Sequence, residues 1–362
     1  MLELDAFYMT KALQLARLGR FSTEPNPRVG CVLVKDGVII AEGFHVKAGQ
    51  AHAEVVALNN TDNAQGATAY VTLEPCSHQG KTPPCCDALI NAGVSRVVAA
   101  MQDPNPLVSG RGLEKLKAAG LDVVCGVLEA DARLLNRGFI KRMTEQRPFV
   151  RSKLAMSLDG RTAMASGESK WISSPAARAD VHQIRAESSA ILTGINTVLA
   201  DDPALTARIN EAVEQPIRVV LDSKLKMPLT AQMAKLAGRS LILTCSSDVV
   251  KQQALQAVGF EVYTLADKNG QLDLQAVLKF LAKLQINEVL VEAGSLLNGA
   301  LLAEDLVDEW IVYMAPCVLG DQGRGLFTMP TLQSMADKKS LCFQEVRAVG
   351  PDLKLTLTRA KD

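Results

Sequence analysis

The chain has 362 residues, 48% of them apolar and 22% charged, so it is longer than one hydrophobic core usually organises and two domains are expected. Its 39 Lys+Arg balance 39 Asp+Glu, which excludes the basic excess that neutralises phosphates on nucleic acid or anionic membranes and leaves a small-molecule partner. No N-terminal stretch reads as a signal peptide and no apolar run is long enough to cross a bilayer, so a cytoplasmic protein is expected.

Taken in chain order, the pattern predicts a helix over 5–18, a strand over 30–34, a helix over 54–59 and a strand over 69–72. A helix over 86–92 and a strand over 96–100 follow. The polar segment Met143-Thr-Glu-Gln-Arg-Pro148 then interrupts the pattern, and a new strand begins at 149–154. Beyond it come strands over 218–221, 241–244 and 288–291, and helices over 176–186 and 274–284. Such alternation reads as α/β with largely parallel sheets. We place the boundary near residue 147, giving domains 1–146 and 147–362.

The first half carries His52-Ala-Glu54, then Pro75-Cys76, then Cys85. One His and two Cys leave a zinc ion an open fourth position for water, as a catalytic site requires. A carboxylate that is not a ligand can carry protons from that water to a leaving amine, and Glu54 is placed for it. The order His-x-Glu, Pro-Cys, Cys is that of the zinc nucleobase deaminases. Residues 52 and 54 lie about 200° apart inside a helix, so they converge only at a helix's first turn. Cys85 stands at the start of another helical pattern, which puts one zinc between two helix starts. Eight residues separate Cys76 from Cys85, where the compact signature has two, and the adjacent Cys86 reads as a buried helix residue. His78 has nothing to distinguish it from a surface histidine. Cys31, Cys125, Cys245, Cys317 and Cys342 lie in apolar patterns and are expected in cores.

In the second half no Gly-x-Gly-x-x-Gly follows a strand, so the ordinary dinucleotide fingerprint is missing. The strand at 288–292, the turn Ala293-Gly294-Ser295 and a helix from Leu296 make a plausible phosphate cradle, but equally an ordinary strand–turn–helix.

Longer stretches of the chain are distinctive. Pro25-Asn-Pro-Arg-Val-Gly-Cys31, Thr72-Leu-Glu-Pro-Cys-Ser-His78, Gly80-Lys-Thr-Pro-Pro-Cys-Cys-Asp87 and Gln102-Asp-Pro-Asn-Pro106 fall in the first half. Ser157-Leu-Asp-Gly-Arg-Thr-Ala163, Ser166-Gly-Glu-Ser-Lys-Trp-Ile172, Leu199-Ala-Asp-Asp-Pro-Ala-Leu-Thr206 and Val291-Glu-Ala-Gly294 fall in the second. Together they resemble the bifunctional riboflavin-biosynthesis deaminase/reductase family over nearly the whole chain, the wide cysteine spacing included.

The resemblance implies a cytidine-deaminase-like three-layer domain followed by a dihydrofolate-reductase-like domain, in a homo-oligomer. It implies zinc on His52, Cys76 and Cys85, with Glu54 shuttling protons as the 2-amino group leaves a 2,5-diamino-6-(phosphoribosylamino)pyrimidinone. Asn26 would read the pyrimidine, as an amide can by donating and accepting at once, and the Asp103–Asn105 turn would help bind the ribose phosphate. The second domain would then use NADPH to reduce the ribosyl group to ribityl. Its cofactor contacts would be Ala155, Trp171, Thr197, Asp201, Ser223 and the run Gly294, Ser295, Leu296, Leu297, Asn298, Gly299 and Ala300. Substrate contacts would be Ser169, Arg185, Leu205, Arg208 and Glu292, the two arginines suiting a phosphate because guanidinium binds it in a fork. Lys153 is a further candidate. Two rival readings are a zinc deaminase of tRNA or another nucleotide, and a non-catalytic zinc and nucleotide sensor. Zero net charge and the absence of a basic, aromatic-interleaved stripe oppose the first; the unliganded Glu54 opposes the second.

Overall fold

A computed structural model describes residues 2–77, 83–106 and 108–360, and the chain divides into two compact units, Met1–Arg147 and Pro148–Asp362. His78 and positions 80–82 of the cysteine motif lie outside the described residues.

The first unit runs α1 (Leu2–Leu18), β1 (Gly30–Lys35), β2 (Val38–Phe44), α2 (Ala53–Asn59), β3 (Thr68–Val71) and α3 (Cys85–Asn91). It continues with β4 (Arg96–Ala99), α4 (Arg111–Ala118), β5 (Asp122–Cys125), α5 (Glu129–Leu135) and α6 (Arg137–Glu145). Its sheet has the order β2-β1-β3-β4-β5, with β1 antiparallel to both neighbours and β3, β4 and β5 parallel. The strands alternate with period two, so each sheet face collects its own core. Cys31, Leu33, Ala69, Val71 and Val97 pack with Ala53, Ala57 and Leu89 of α2 and α3. Val32, Val34, Tyr70 and Val98 pack with Met9, Ala12 and Leu13 of α1. The result is three layers, helix–sheet–helix. Gly30 lets α1 lie close on the sheet, since a Cβ there would meet the Ala12 carbonyl oxygen at 2.0 Å.

The second unit runs β6 (Phe149–Ser157), β7 (Arg161–Ala163), α7 (Pro175–Glu187), β8 (Ala190–Gly194), α8 (Ile195–Asp201), β9 (Ile217–Leu221) and β10 (Ser240–Thr244). Then come α9 (Val249–Ala257), β11 (Glu261–Thr264), the short pair β12 (Asp267–Lys268) and β13 (Gln271–Leu272), α10 (Leu274–Lys283) and β14 (Glu288–Val291). It closes with α11 (Ser295–Ala303), β15 (Glu309–Ala315), β16 (Arg324–Gly325), β17 (Leu341–Val349) and β18 (Asp352–Arg359). The large sheet has the order β11-β10-β9-β8-β14-β6-β15-β18-β17 and is parallel from β11 to β15. Ile191, Val220, Ile242 and Leu290 meet α7 and α9 on one face; Leu192, Val219, Leu241 and Val289 meet α10 on the other. Local signals start the helices. Ser174 caps α7 ahead of Pro175, and Asp273 caps α10.

The expectation of largely parallel sheets needs correction in the first unit, where β1 is antiparallel on both sides: the short β1–β2 connection makes a hairpin, and β3 returns beside β1 running in the direction of β2. The cysteine expectation also needs correction. Cys31 is buried, but Cys125 and Cys342 are exposed and Cys245 and Cys317 are half-buried. Cys125 ends the outermost strand β5 and Cys342 lies on the outermost strand β17, where, among the described residues, one flank of each strand has no neighbouring strand.

Candidate active sites

In the first unit α2 and α3 start facing one another. His52 precedes α2 with extended backbone and Cys85 is the first residue of α3. Extended geometry at residue 52 is what lets its ring and the Glu54 side chain share one side of the helix start. The ligand atoms of His52, Cys76 and Cys85 all lie within 4.8 Å of one another. His52 Nδ1 is 3.2 Å from Cys85 Sγ and 3.6 Å from Cys76 Sγ. Ligands arranged tetrahedrally about one zinc would stand about 3.6 Å apart, so the donor set fits that ion. Cys86 points elsewhere, its Sγ donating to the carbonyls of Pro75 at 3.2 Å and Gly112 at 3.5 Å.

The electrostatics suit a cation. The neighbouring Cys85 side chain, and then His52, hold the Cys76 thiol well below the usual thiol range, while Cys76 and burial push Cys85 up. One thiolate is therefore favoured between the pair. Its hydrogen bond draws His52 upward. Glu54 is 3% exposed, and burial raises its carboxyl to about 7.

Asn26 is held beside this cluster. Its Nδ2 lies 3.0 Å from His45 Nε2, and the His45 ring stacks edge-on against His52 with centroids 5.5 Å apart. His45 Nδ1 is 3.1 Å from the Ala51 carbonyl, which only accepts. The ring therefore carries its proton on Nδ1 and accepts from Asn26 at Nε2, while burial lowers its pKa. Asp103 Oδ1 accepts from the Asn105 N–H at 2.8 Å, forming a tight turn.

The second unit has a cavity of about 1370 Å³ on the side of the sheet where β8, β9 and β14 end. Ala155, Ser169, Trp171, Thr197, Asp201, Leu205, Arg208 and Ser223 line it, with Arg185 and Glu292. Gly294 through Leu297 and Ala300 line the start of α11. A Cβ on Gly294 would meet nothing within 4 Å, and no side chain of its own caps α11. Open space against uncapped backbone N–H groups fits the pyrophosphate of a dinucleotide. Deeper in, Glu292 receives a two-pronged contact from Arg185 at 2.5 and 2.9 Å and an ion pair from Lys153 at 3.2 Å. Burial alone would raise this carboxyl, but Lys153 and Arg185 hold it at about 2. Arg208 lies at the surface, 3.1 Å from both Thr206 Oγ1 and His182 Nε2.

Comparison with known proteins follows the same division. A family model for the cytidine and deoxycytidylate deaminase zinc-binding region matches residues 2–101, and one for the RibD C-terminal domain matches residues 148–355. The riboflavin biosynthesis protein RibD of Escherichia coli is 52% identical over 98% of this chain and all of its own length. The chain belongs to the RibD family. A structure of Acinetobacter baumannii RibD superposes with a TM-score of 0.94 at 46% identity, covering all of both chains. A Thermotoga maritima diaminohydroxyphosphoribosylaminopyrimidine deaminase/5-amino-6-(5-phosphoribosylamino)uracil reductase superposes at 0.88 with 35% identity, covering 99% of both. As a RibD-family protein the chain is a bifunctional deaminase and reductase of riboflavin biosynthesis that acts on a small molecule, with zinc and NADPH as cofactors. Among the described residues no helix is long and apolar enough to cross a membrane.

Three expectations change against this geometry. The Arg185 fork is engaged by Glu292 and one further N–H reaches the Thr206 carbonyl at 3.1 Å, so Arg185 faces the cavity as half of an ion pair rather than as a free fork. Leu205, with a positive φ of 47°, is buried in the core cluster while also lining the cavity. Asn298 and Gly299 do not line the cavity. Asn298 is buried, bonding Ser152 and the carbonyls of Ala293 and Gly294, and Gly299 packs against the Thr328 backbone. The sequence reading also missed His45, whose one signal was being among only four histidines.

Proposed function

We propose that the unit Met1–Arg147 deaminates a 2,5-diamino-6-(5-phosphoribosylamino)pyrimidin-4(3H)-one and that Pro148–Asp362 reduces the product's ribosyl group to ribityl. The observation that carries this reading is Glu54, a buried carboxyl raised to about 7 beside a His/Cys/Cys ligand set. A group poised there takes and gives protons near neutral pH. His52, Cys76 and Cys85 hold zinc. Zinc, when bound, makes water a nucleophile near neutral pH. Glu54 receives the water's proton and passes it to the departing nitrogen, so that water and amine become carbonyl and ammonia. Asn26 has one amide N–H committed to His45, leaving its carbonyl and second N–H for the pyrimidine edge. The Asp103–Asn105 turn contacts the phosphoribosyl group.

In the second unit the start of α11, with Ala155, Trp171, Thr197 and Ser223, binds the dinucleotide. NADPH supplies hydride to C1′ of the opened ribose. Glu292, held by Arg185 and Lys153, orients the substrate together with Arg185, Ser169 and Leu205. Asp201, paired with Lys170 at 3.2 Å, lies where it can orient a ribose hydroxyl. Arg208 takes the phosphate. The protein works as a cytoplasmic homo-oligomer, without nucleic acid or membrane. A coupled assay tests the whole reading. With the diaminopyrimidinone phosphoribotide, ammonia should appear first and NADPH oxidation should follow at one per ammonia. NADPH oxidation on the undeaminated compound, or ammonia from a polynucleotide instead, would reject it.

A further inference from the structure

Glu74 stands two residues before the ligand Cys76. Its side chain is 3% exposed. Oε2 accepts from the backbone N–H of Asp103 at 3.0 Å and of Gly110 at 2.9 Å. Oε1 accepts from Gly112 at 2.8 Å and Leu113 at 3.3 Å. Gly110, Gly112 and Leu113 form the start of α4, where the N-cap is a glycine and offers no side chain of its own. The orphan N–H groups of a helix start need an acceptor. Glu74 supplies it from another part of the chain. The same Oε2 also receives the Asp103 N–H, so the two ends of the loop Asp103–Gly110 are pinned to one oxygen. Contact reinforces the bonds, because a Cβ on Gly112 would lie 2.1 Å from the Pro75 carbonyl oxygen.

We propose that Glu74 is a positioning residue of the deaminase. Its carboxylate sets the Asp103–Asn105 turn and the start of α4 against the two-residue segment that delivers Cys76, so metal ligand and substrate turn are fixed as one piece. This rests on the reading that the Asp103–Asn105 turn touches the phosphoribosyl group. A carboxylate is needed because four donors converge on two acceptor oxygens. An amide keeps only one acceptor, and its NH2 would face two N–H donors left unpaired in a buried place.

The test is Glu74→Gln, with KM and kcat for ammonia release measured separately alongside zinc content and NADPH oxidation. Displacing the turn should raise KM about tenfold while kcat stays within about twofold, as expected for losing buried hydrogen bonds away from the reacting atoms. Zinc and reductase activity should be unchanged. An unaltered KM, or a fall in kcat accompanied by zinc loss, would overturn the positioning role. Amide exchange supplies an independent readout. The N–H groups of Asp103 and Gly110 should be protected in the unsubstituted protein and exchange faster in Glu74→Gln. Should that variant fail to fold, fast exchange of these two amides in the unsubstituted protein would sink the proposal. Asp103→Ala keeps all four Glu74 bonds and tests the underlying reading, since an unchanged KM there removes the turn from the substrate site without touching the exchange result.

Discussion

The two units build their sites on opposite principles. The deaminase unit gathers three ligand atoms within 4.8 Å and buries Glu54 beside them, all supplied by two helix starts and one loop. The reductase unit spreads its contacts around a cavity of about 1370 Å³, lined by residues at strand ends and at the start of α11. A metal demands a few side chains at bond distance, and side chains at fixed spacing are visible as a motif. An extended cofactor asks instead for shape and for N–H groups, which many sequences supply. The first site should therefore fail abruptly on single substitutions and the second by degrees.

The largest effect is expected at the ligands. Cys76→Ser and Cys85→Ser should lose zinc and all deaminase activity, whereas Cys86→Ser should keep both, since its thiol is engaged with two carbonyls. Elemental analysis of the three proteins decides the matter, and metal loss in Cys86→Ser alone would move the site to the other cysteine. Next comes Glu54→Gln, which leaves the ligands intact. Ammonia release should fall at least ~10²-fold with zinc retained, and NADPH oxidation should continue when the deaminated intermediate is supplied. A folded variant that lost both activities would break the contrast between two independent sites.

The smallest effect belongs to the cavity. Glu292 has a carboxyl held at about 2, below the ~4.3 of an unfolded chain, so its pairing stabilises the fold above that higher value and is lost as pH falls towards 2. Glu292→Gln should lower the thermal midpoint by several degrees at pH 7, a cost of about 3 kcal/mol from taking the carboxylate away from Arg185 and Lys153. The gap should narrow as pH drops from 4 to 2. Calorimetry showing the same gap at pH 3 and pH 7 would mean that charge pairing is not what Glu292 contributes.

Which parts of this were legible follows from the range of the interactions. His52, Glu54, Cys76 and Cys85 could be read because their spacing encodes a local geometry, and the strands because alternation is local too. Glu74 could not, since its partners are N–H groups 29 to 39 residues away and every residue has one. Arg185 was read as a phosphate fork because nothing in sequence shows a carboxylate 107 positions later closing on it. The run Gly294–Ala300 is different, because its correction was available in principle. A helix cannot turn seven consecutive residues to one ligand. Positions 296, 297 and 300 share a face, and 298 and 299 fall behind it.

The outermost strand of the large sheet bears on how this protein behaves in bulk. Nine-residue β17 ends the strand order, with Phe343 63% and Val346 55% exposed, so it is a long, partly greasy ribbon edge on which misfolded chains could stack. Two features blunt it. An extra residue, Gln344, throws the pairing out of step between Phe343 and Glu345, and the charged Glu345 and Arg347 occupy the face of the strand opposite Phe343 and Val346. The kink denies an incoming strand the flat, uniform template that fibril growth requires, and the charges on the other face weigh against stacking there.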